Sequence, residues 1–118
     1  MKLREIIDAT LSFQKLSNEN LKLQTAYALK KLTDNLTTEV AFYDEQREKL
    51  FDKHGAEIKG GIRQIPERNI EAFQKDFNEL IETDMSINFE KVSVQLSENI
   101  NLSVNDLIFL EPFINFVE

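Results

Sequence analysis

The chain has 118 residues and a formal net charge of −7, and it contains no cysteine, which excludes disulfide bridges, thiolate metal sites and cysteine nucleophiles. A chain of this length predicts one domain with a real hydrophobic core. No apolar run reaches the roughly eighteen residues of a membrane span, and Glu5 and Asp8 interrupt the amphipathic start, which argues against a signal peptide, so we expect a soluble, intracellular protein.

The first half of the sequence predicts a hairpin of two helices. Apolar residues recur from Leu3 to Leu16 at the spacing of one helical face, and SNEN at 17–20 supplies turn and cap residues. A longer helical pattern begins near Leu21 and runs without Pro or Gly to Gly55, a residue that suits a left-handed helix cap. This helix would span about 50 Å, so we expect it to pack on the first helix and to leave a part free.

The segment after this helix predicts a short β-hairpin and then a third helix. Gly60 and Gly61 lie between EIK and IRQI, whose branched apolar residues alternate, and this is the signal of a two-residue hairpin turn. From Pro66 the apolar pattern is helical again, and we expect this third helix to pack by an aromatic stripe. Its apolar face consists of Ile70, Phe73, Phe77, Leu80 and Ile81.

The last third of the sequence predicts a strand and a short helix. Residues 85–94, MSINFEKVSV, alternate apolar and polar side chains, which indicates a strand with one buried face. Ser103 and Asp106 have the spacing of a capping box, which would open a helix at Val104. The predicted fold is therefore mostly helical α+β in a single domain, 1–118, with a helical hairpin over 3–54 and a small α+β part over 56–118.

The C-terminal segment DLIFLEPFINFVE, which we call the tail (106–118), is unusually apolar for an acidic protein. Pro112 disfavours a helix through Glu111, so two arrangements stay open: one helix throughout, or a short helix to about Leu110 followed by a turn and an extended FINFV. In both, the tail must cover the sheet, the helical hairpin or the same surface of a second copy. Its predicted interaction patch consists of Leu107, Phe109, Leu110, Phe113, Ile114 and Phe116. The simpler interpretation is that the phenylalanines of the tail, together with Phe73, Phe77 and Phe89, belong to the hydrophobic core and need no partner.

The sequence offers little for catalysis. The only histidine, His54, lies at the end of the long helix, where the helix dipole favours a histidine without any catalytic role. The carboxylates of the helices lie among Lys and Arg, and Glu45 with Lys49 and Glu71 with Lys75 form favourable i,i+4 pairs on solvent-facing surfaces. No phosphate-binding loop, dinucleotide-binding turn, zinc-protease motif or EF-hand motif is present. We therefore predict no enzyme, no cofactor and no metal site.

The charge distribution argues against nucleic acid as a partner. Residues 1–54 balance to zero, so all of the net negative charge lies in 55–118. Binding to a phosphate backbone needs clustered Lys and Arg. Stacking on bases needs aromatic residues interleaved with basic ones, and no basic residue lies around Phe109, Phe113 and Phe116. We expect no nucleic-acid partner.

Three segments carry a resemblance: LREIIDATLSFQKLSNENLKLQTAYALKKL at the start, NIEAFQKDFNELIETDMSINFEKV in the middle and LSVNDLIFLEPFI at the end. Together they resemble a family of small uncharacterised proteins encoded by tailed phages and prophages of low-GC bacteria. The resemblance covers nearly the whole chain and rests on packing and capping patterns. It implies a phage origin, often a place among structural and assembly genes, and no catalytic residues. The KGG hairpin is shorter here than the family's insert at that place.

These observations lead to one main hypothesis and two alternatives. We expect a non-enzymatic phage protein that acts through protein contacts in virion or tail assembly. It would act as a homo-oligomer and with a phage or host protein, in the host cytoplasm or the virion and not at a membrane. The first alternative is an acidic inhibitor, in which the carboxylates of 55–118 occupy a basic groove of a host nucleic-acid-binding or defence protein. The second is a hydrolase with a carboxylate-bound metal at Glu67 or Glu71.

Overall fold

The computed structural model describes residues 1–96 and 100–118, and within them the predicted mostly helical α+β fold is confirmed. The helices are α1 (Leu3–Ser17), α2 (Leu23–Lys53), α3 (Ile70–Ile81) and α4 (Val104–Leu110). The strands are β1 (Glu57–Lys59), β2 (Ile62–Gln64), β3 (Val92–Gln95) and β4 (Ile114–Val117), and a 3₁₀ turn, Glu67–Asn69, leads into α3.

Helices α1 and α2 form the predicted hairpin. The connection between them is only a few residues long, which makes consecutive helices antiparallel neighbours. The buried face of α1 recurs at intervals of three and four residues, as one side of a helix must. It packs with three leucines from the first half of α2. The buried apolar residues of this contact are Ile6, Ala9, Phe13 and Leu16 from α1 and Leu29, Leu32 and Leu36 from α2.

The long helix ends just before Gly55, as its sequence predicts. Gly55 has a φ of 69°, in the left-handed region that glycine enters without a steric penalty. Its amide donates to the carbonyl of Asp52 at 3.3 Å, and the amide of Ala56 donates to that of Phe51 at 2.9 Å. These two bonds form a Schellman motif, which satisfies carbonyls that the helix end would otherwise leave without partners.

The length of α2 makes the molecule elongated. Its 31 residues span about 46 Å at 1.5 Å per residue, and the molecule measures 51 × 32 × 21 Å. The radius of gyration is 17.1 Å, whereas a compact chain of this length would have about 13 Å. The second half of α2 is nevertheless covered, because α3 packs along it by the predicted aromatic stripe. Phe73 stacks on Phe51 at 5.3 Å, and Phe77 meets Tyr43 at 6.2 Å between ring centroids.

The predicted β-hairpin lies at the same end of the molecule as α3. Strands β1 and β2 pair antiparallel, with Glu57 opposite Gln64 and Lys59 opposite Ile62. Gly60 and Gly61 both have positive φ angles, 59° and 79°, as a two-residue turn of type I′ requires.

Strands β3 and β4 form a second pair, which is parallel, and α4 lies between them in sequence. Val92 lies opposite Ile114, and Gln95 lies opposite Val117. Parallel strands need a crossover connection, and α4 lies in that connection. The helix stops at Leu110 and FINFV is extended, so the second of the two arrangements of the tail is the one observed.

The predicted strand over 85–94 is shorter in the structure, because only its last three residues join the ladder with β4. The amide of Met85 donates to the carbonyl of Met1 at 2.6 Å, next to an isolated bridge between Lys2 and Asp84. Met85, Ile87 and Phe89 still pack against the core at alternate positions. The periodicity therefore identified the buried face correctly, although most of this segment has no ladder partner among the described residues.

The residues after Gly55 pack at two places along the helical hairpin. The β-hairpin and α3 lie along the second half of α2, whereas β3, α4 and β4 pack on α1 and on the first half of α2. The main core lies at this second place, where Val94, Leu110 and Phe113 are fully buried. The tail therefore completes the core beside the helical hairpin.

Candidate interaction surface

Asp106 fixes the orientation of α4 against α1. The residue is 4% exposed, and its carboxylate accepts a hydrogen bond from the hydroxyl of Ser12 at 2.7 Å. Lys15 lies 3.1 Å from the same carboxylate, and the amide of Ser103 donates to it at 2.9 Å. Ser103 in turn accepts from the amide of Asp106 at 3.1 Å, so the predicted capping box is confirmed.

These partners keep Asp106 ionised. The backbone amide of Ser103 and then the hydroxyl of Ser12 hold the pKa of Asp106 well below its usual range, against the opposite effect of burial. A carboxylate that accepts several hydrogen bonds is stabilised in its charged form. The ion pair with Lys15 adds to the same effect. The buried charge is therefore compensated, and α4 has a strong reason to keep this face toward α1.

Because Asp106 and Leu110 face inward, the opposite side of α4 faces solvent, and apart from Asn105 that side is apolar. Val104 is 74% exposed and Ile108 is 56% exposed, and they lie four residues apart on one face of the helix. Leu107 and Phe109 flank them with 38% exposure each. An exposed apolar surface of this kind is typical of an interaction site.

This side of α4 borders a groove of about 680 Å³ along β3 and β4, which we call the α4 groove. Among the residues that the structure describes, five of its lining side chains are large, apolar and exposed, and only Lys91 and Glu111 are charged. The five exposed apolar residues are Leu96, Val104, Leu107, Ile108 and Val117.

The six residues of the predicted interaction patch divide between core and surface. Leu110, Phe113 and Ile114 are buried, and the Phe113 ring lies 5.3 Å from that of Phe13 and 5.4 Å from that of Phe89. Leu110 and Phe113 therefore cannot contact a partner while the fold is intact, whereas Ile114 lines the α4 groove. Phe116 is half-buried, and only Leu107 and Phe109 are accessible.

Sequence reasoning missed Leu96, Val104, Ile108 and Val117 as surface residues. A helical wheel drawn through the whole tail places Leu107 and Leu110 on one face. The helix ends at Leu110, so the wheel does not describe the residues that follow. One signal was present, since Asp106 precedes Leu110 by one helical turn and must share its side of the helix. Its hydrogen-bond partner Ser12 lies 94 residues away in sequence, so nothing local indicated that this was the buried side.

Two further grooves lie on the helical hairpin. One, of about 430 Å³ between α1 and α2, has a floor of Ile6, Phe13 and Leu36, and among the described residues no charged side chain lines it. The other, of about 810 Å³, lies between α2 and residues 87–93 and is lined mostly by polar side chains. Neither contains the His54 side chain or the tail residues of the predicted patch.

His54 takes part in a cluster that joins the end of α2 to α3. Its Nε2 lies 2.8 Å from the carboxylate of Asp76, and Lys53 donates to the same oxygen at 2.8 Å. Asn69 donates to the carbonyl of His54 at 2.9 Å, and Phe73 meets the His54 ring edge to face. Lys53 and then His54 hold the pKa of Asp76 below its usual range. These contacts account for a buried histidine by packing and hydrogen bonding alone.

Ion pairs join the acidic part of the chain, 55–118, to basic residues of the part without net charge, 1–54. Three carboxylates of the acidic half pair with basic residues of the other half, and Arg63 crosses in the opposite direction to Glu48 and Asp52. The acidic residues of 55–118 therefore do not form a field that is free of cations. The three carboxylate pairs are Glu82 with Lys2 and Arg4, Asp76 with Lys53, and Asp106 with Lys15.

Within residues 1–96 and 100–118, no group of three or more His, Asp or Glu side chains is placed to hold a metal ion. In the same part of the chain, no helix is both long and apolar enough to span a membrane. Comparison with known proteins finds no matching family model, no matching curated protein and no matching solved structure. The surfaces described above are therefore the basis for any functional conclusion.

Proposed function

We propose that the protein acts without catalysis, through protein contacts at the α4 groove and the exposed side of α4. The observation that carries this proposal is the set of five exposed apolar side chains that line one groove. Single exposed apolar residues are ordinary, whereas a contiguous apolar surface with few charges is typical of a contact site. The biological setting that we propose is phage virion or tail assembly, and it rests on the sequence resemblance alone.

The structure also supports this proposal over that of an acidic inhibitor. A mimic of nucleic acid would present carboxylates free to meet a basic partner. Asp76, Glu82 and Asp106, three of the twelve carboxylates in 55–118, instead meet cations of their own chain. The inhibitor stays as a second outcome of the test below, with a host nucleic-acid-binding or defence protein as its partner.

The test is affinity capture from infected and uninfected host lysate with the tagged protein and two variants. Ile108→Glu places a charge in the α4 groove. Ile58→Glu is the matched control, because Ile58 is 76% exposed in β1 at the other end of the molecule. We expect wild type and Ile58→Glu to retain their own copies or phage structural proteins through a high-salt wash, and Ile108→Glu to lose them, because apolar contacts are weakly screened by salt.

Two other results have a clear meaning. A basic host protein that washes off as salt rises, with equal recovery by Ile108→Glu, would favour the acidic inhibitor. If Ile108→Glu and wild type retain the same proteins at high salt, the proposed contact surface is wrong.

A further inference from the structure

The main chain of residues 86–91 has no hydrogen-bond partner among the residues that the structure describes. The side chains of Ile87 and Phe89 pack toward the core, and those between them are exposed, which is the alternation of a strand. The nearest main-chain bonds are donated by the amides of Met85 before this segment and Val92 after it. An extended segment without a neighbouring strand presents a row of amides and carbonyls with which another chain can pair.

Strand β3 continues this segment and has a free edge of the same kind. The amides of Val92 and Leu96 donate to carbonyls of β4 at 3.1 and 2.7 Å. Amides of successive residues in a strand point to opposite edges, so those of Lys91 and Ser93 point away from β4. In the described part of the chain, β4 is the only strand that pairs with β3. The edge at Lys91 and Ser93 therefore has no strand beside it there.

This edge borders the groove of about 810 Å³ between α2 and residues 87–93, which we call the α2 groove. Seven consecutive residues, 87–93, form one wall, so the main chain itself lines the groove. Seven extended residues span about 23 Å, which is enough for a strand of ordinary length. The other wall is one face of α2, and its described lining residues are Gln24, Thr25, Ala28, Lys31, Leu32 and Asn35.

The hydrogen-bonding groups of this edge determine what kind of partner fits the α2 groove. They need amides and carbonyls that repeat at the spacing of a strand, and an extended polypeptide supplies them. A strand edge that faces a helix across a groove is an arrangement in which an extended peptide can add as a further strand. The same edge of a second copy does not suit, because that edge lies behind the second copy's own α2.

Two lysines give the α2 groove a preference for charge. Lys31 lies on the helix wall and Lys91 on the strand wall. Lys31 contacts the ring of Tyr27, and neither lysine pairs with a carboxylate in the part of the chain that the structure describes. Glu90 is the one acidic residue of the described lining. Charges of this kind select the partner more than they strengthen its binding, so an acidic side chain suits the space between the two lysines.

We propose that the α2 groove binds an extended segment of a partner protein, which adds as a strand to the free edge of residues 87–93 and places an acidic side chain between Lys31 and Lys91. This site goes beyond the proposed function, because Ile108 and the other exposed residues of α4 do not line it. The two grooves adjoin at Lys91 and Ser93, which line both.

The first measurement is hydrogen exchange of the free protein. The amides of Lys91 and Ser93 should exchange fast at every protein concentration, whereas that of Val92 should exchange slowly because it is bonded to β4. Slow exchange of the Ser93 amide in a dilute sample would mean that the edge is already paired within the chain. Protection that grows with concentration would mean that a second copy occupies it. Either result overturns the proposal.

The second measurement uses a library of random peptides of about ten residues, fused to a carrier protein, as the probe. Peptides selected on wild type are titrated against variants. Ser93→Pro removes an amide of the free edge, where proline is tolerated, and Ser93→Ala is the matched control that keeps the amide. We expect Ser93→Ala and Ile108→Glu to bind like wild type, and Ser93→Pro and Lys31→Glu to bind at least about tenfold more weakly. Bound peptide should also slow exchange of the Lys91 amide.

The remaining outcomes overturn the inference. A library that yields no peptide bound above the carrier alone does so, as do peptides that bind Ser93→Pro and Lys31→Glu as tightly as wild type. Peptides that are lost on Ile108→Glu occupy the α4 groove instead, and the proposed function then stands without this inference. Slow exchange of the Val92 amide verifies that Ser93→Pro is folded. If that variant does not fold, protection of the Lys91 amide by bound peptide decides alone.

Discussion

Replacing Phe113 with alanine should destabilise the fold far more than replacing Phe109, although both phenylalanines belong to the apolar tail. Phe113 is 0% exposed and its ring contacts those of Phe13 and Phe89, whereas Phe109 is 38% exposed. Truncating a fully buried phenylalanine leaves a cavity and costs about 3–5 kcal/mol. A domain of this kind has a free energy of unfolding of about 5–15 kcal/mol, so Phe113→Ala removes a large share of it.

The assay is urea unfolding followed by circular dichroism, at one low protein concentration for all variants. With a denaturant slope of about 2 kcal/mol per M, a loss of 3–5 kcal/mol lowers the midpoint by about 2 M. Phe109→Ala is the matched control and should lower the free energy of unfolding by about 1 kcal/mol or less, as partly exposed positions do. Equal midpoints for the two variants at an unchanged slope would refute the conclusion that Phe113 belongs to the core.

Three other changes test separate contacts. Asp106→Asn should lower the urea midpoint at neutral pH, and the difference from wild type should shrink as pH falls below about 4. The reason is that the pKa of Asp106 is lower in the folded chain than in the unfolded chain. The ionised carboxylate therefore stabilises the fold at pH values above its unfolded-state pKa, and this stabilisation is lost as the pH falls. Gly55→Ala should cost about 1 kcal/mol because of its positive φ, and Gly55→Asn less, as thermal unfolding would record. Asp76→Asn should speed amide exchange in α3, because the carboxylate there holds Lys53 and His54, and unchanged exchange would contradict that role.

The ends of the helices were predictable because local chemistry determines them. Gly55 closes α2 by a backbone conformation that favours glycine, and Ser103 opens α4 by a bond to an amide three residues on. The turn at Gly60 and Gly61 is equally local. In each case, a signal within a few residues decided the structure without reference to the rest of the chain.

The pairing of β3 with β4 could not be predicted in the same way. The two strands lie 22 residues apart in register, with Val92 opposite Ile114, and each is only four residues long. Alternation marked the buried face of residues 85–94 but could not say which of them would find a partner strand. That choice depends on where α4 packs, and α4 packs where Ser12 and Lys15 meet Asp106.

The same long-range contact explains why the interaction patch was only partly predictable. A helix that served only to complete a core would turn its apolar side inward and its polar side to water. In α4 the carboxylate of Asp106 lies inside, while Val104 and Ile108 lie outside. The buried carboxylate beside Leu110 is stable because Ser12, Lys15 and Ser103 satisfy its charge, so one cluster both fixes the helix and leaves Val104 and Ile108 exposed. The polar cluster thus sets the geometry of the α4 groove without lining it.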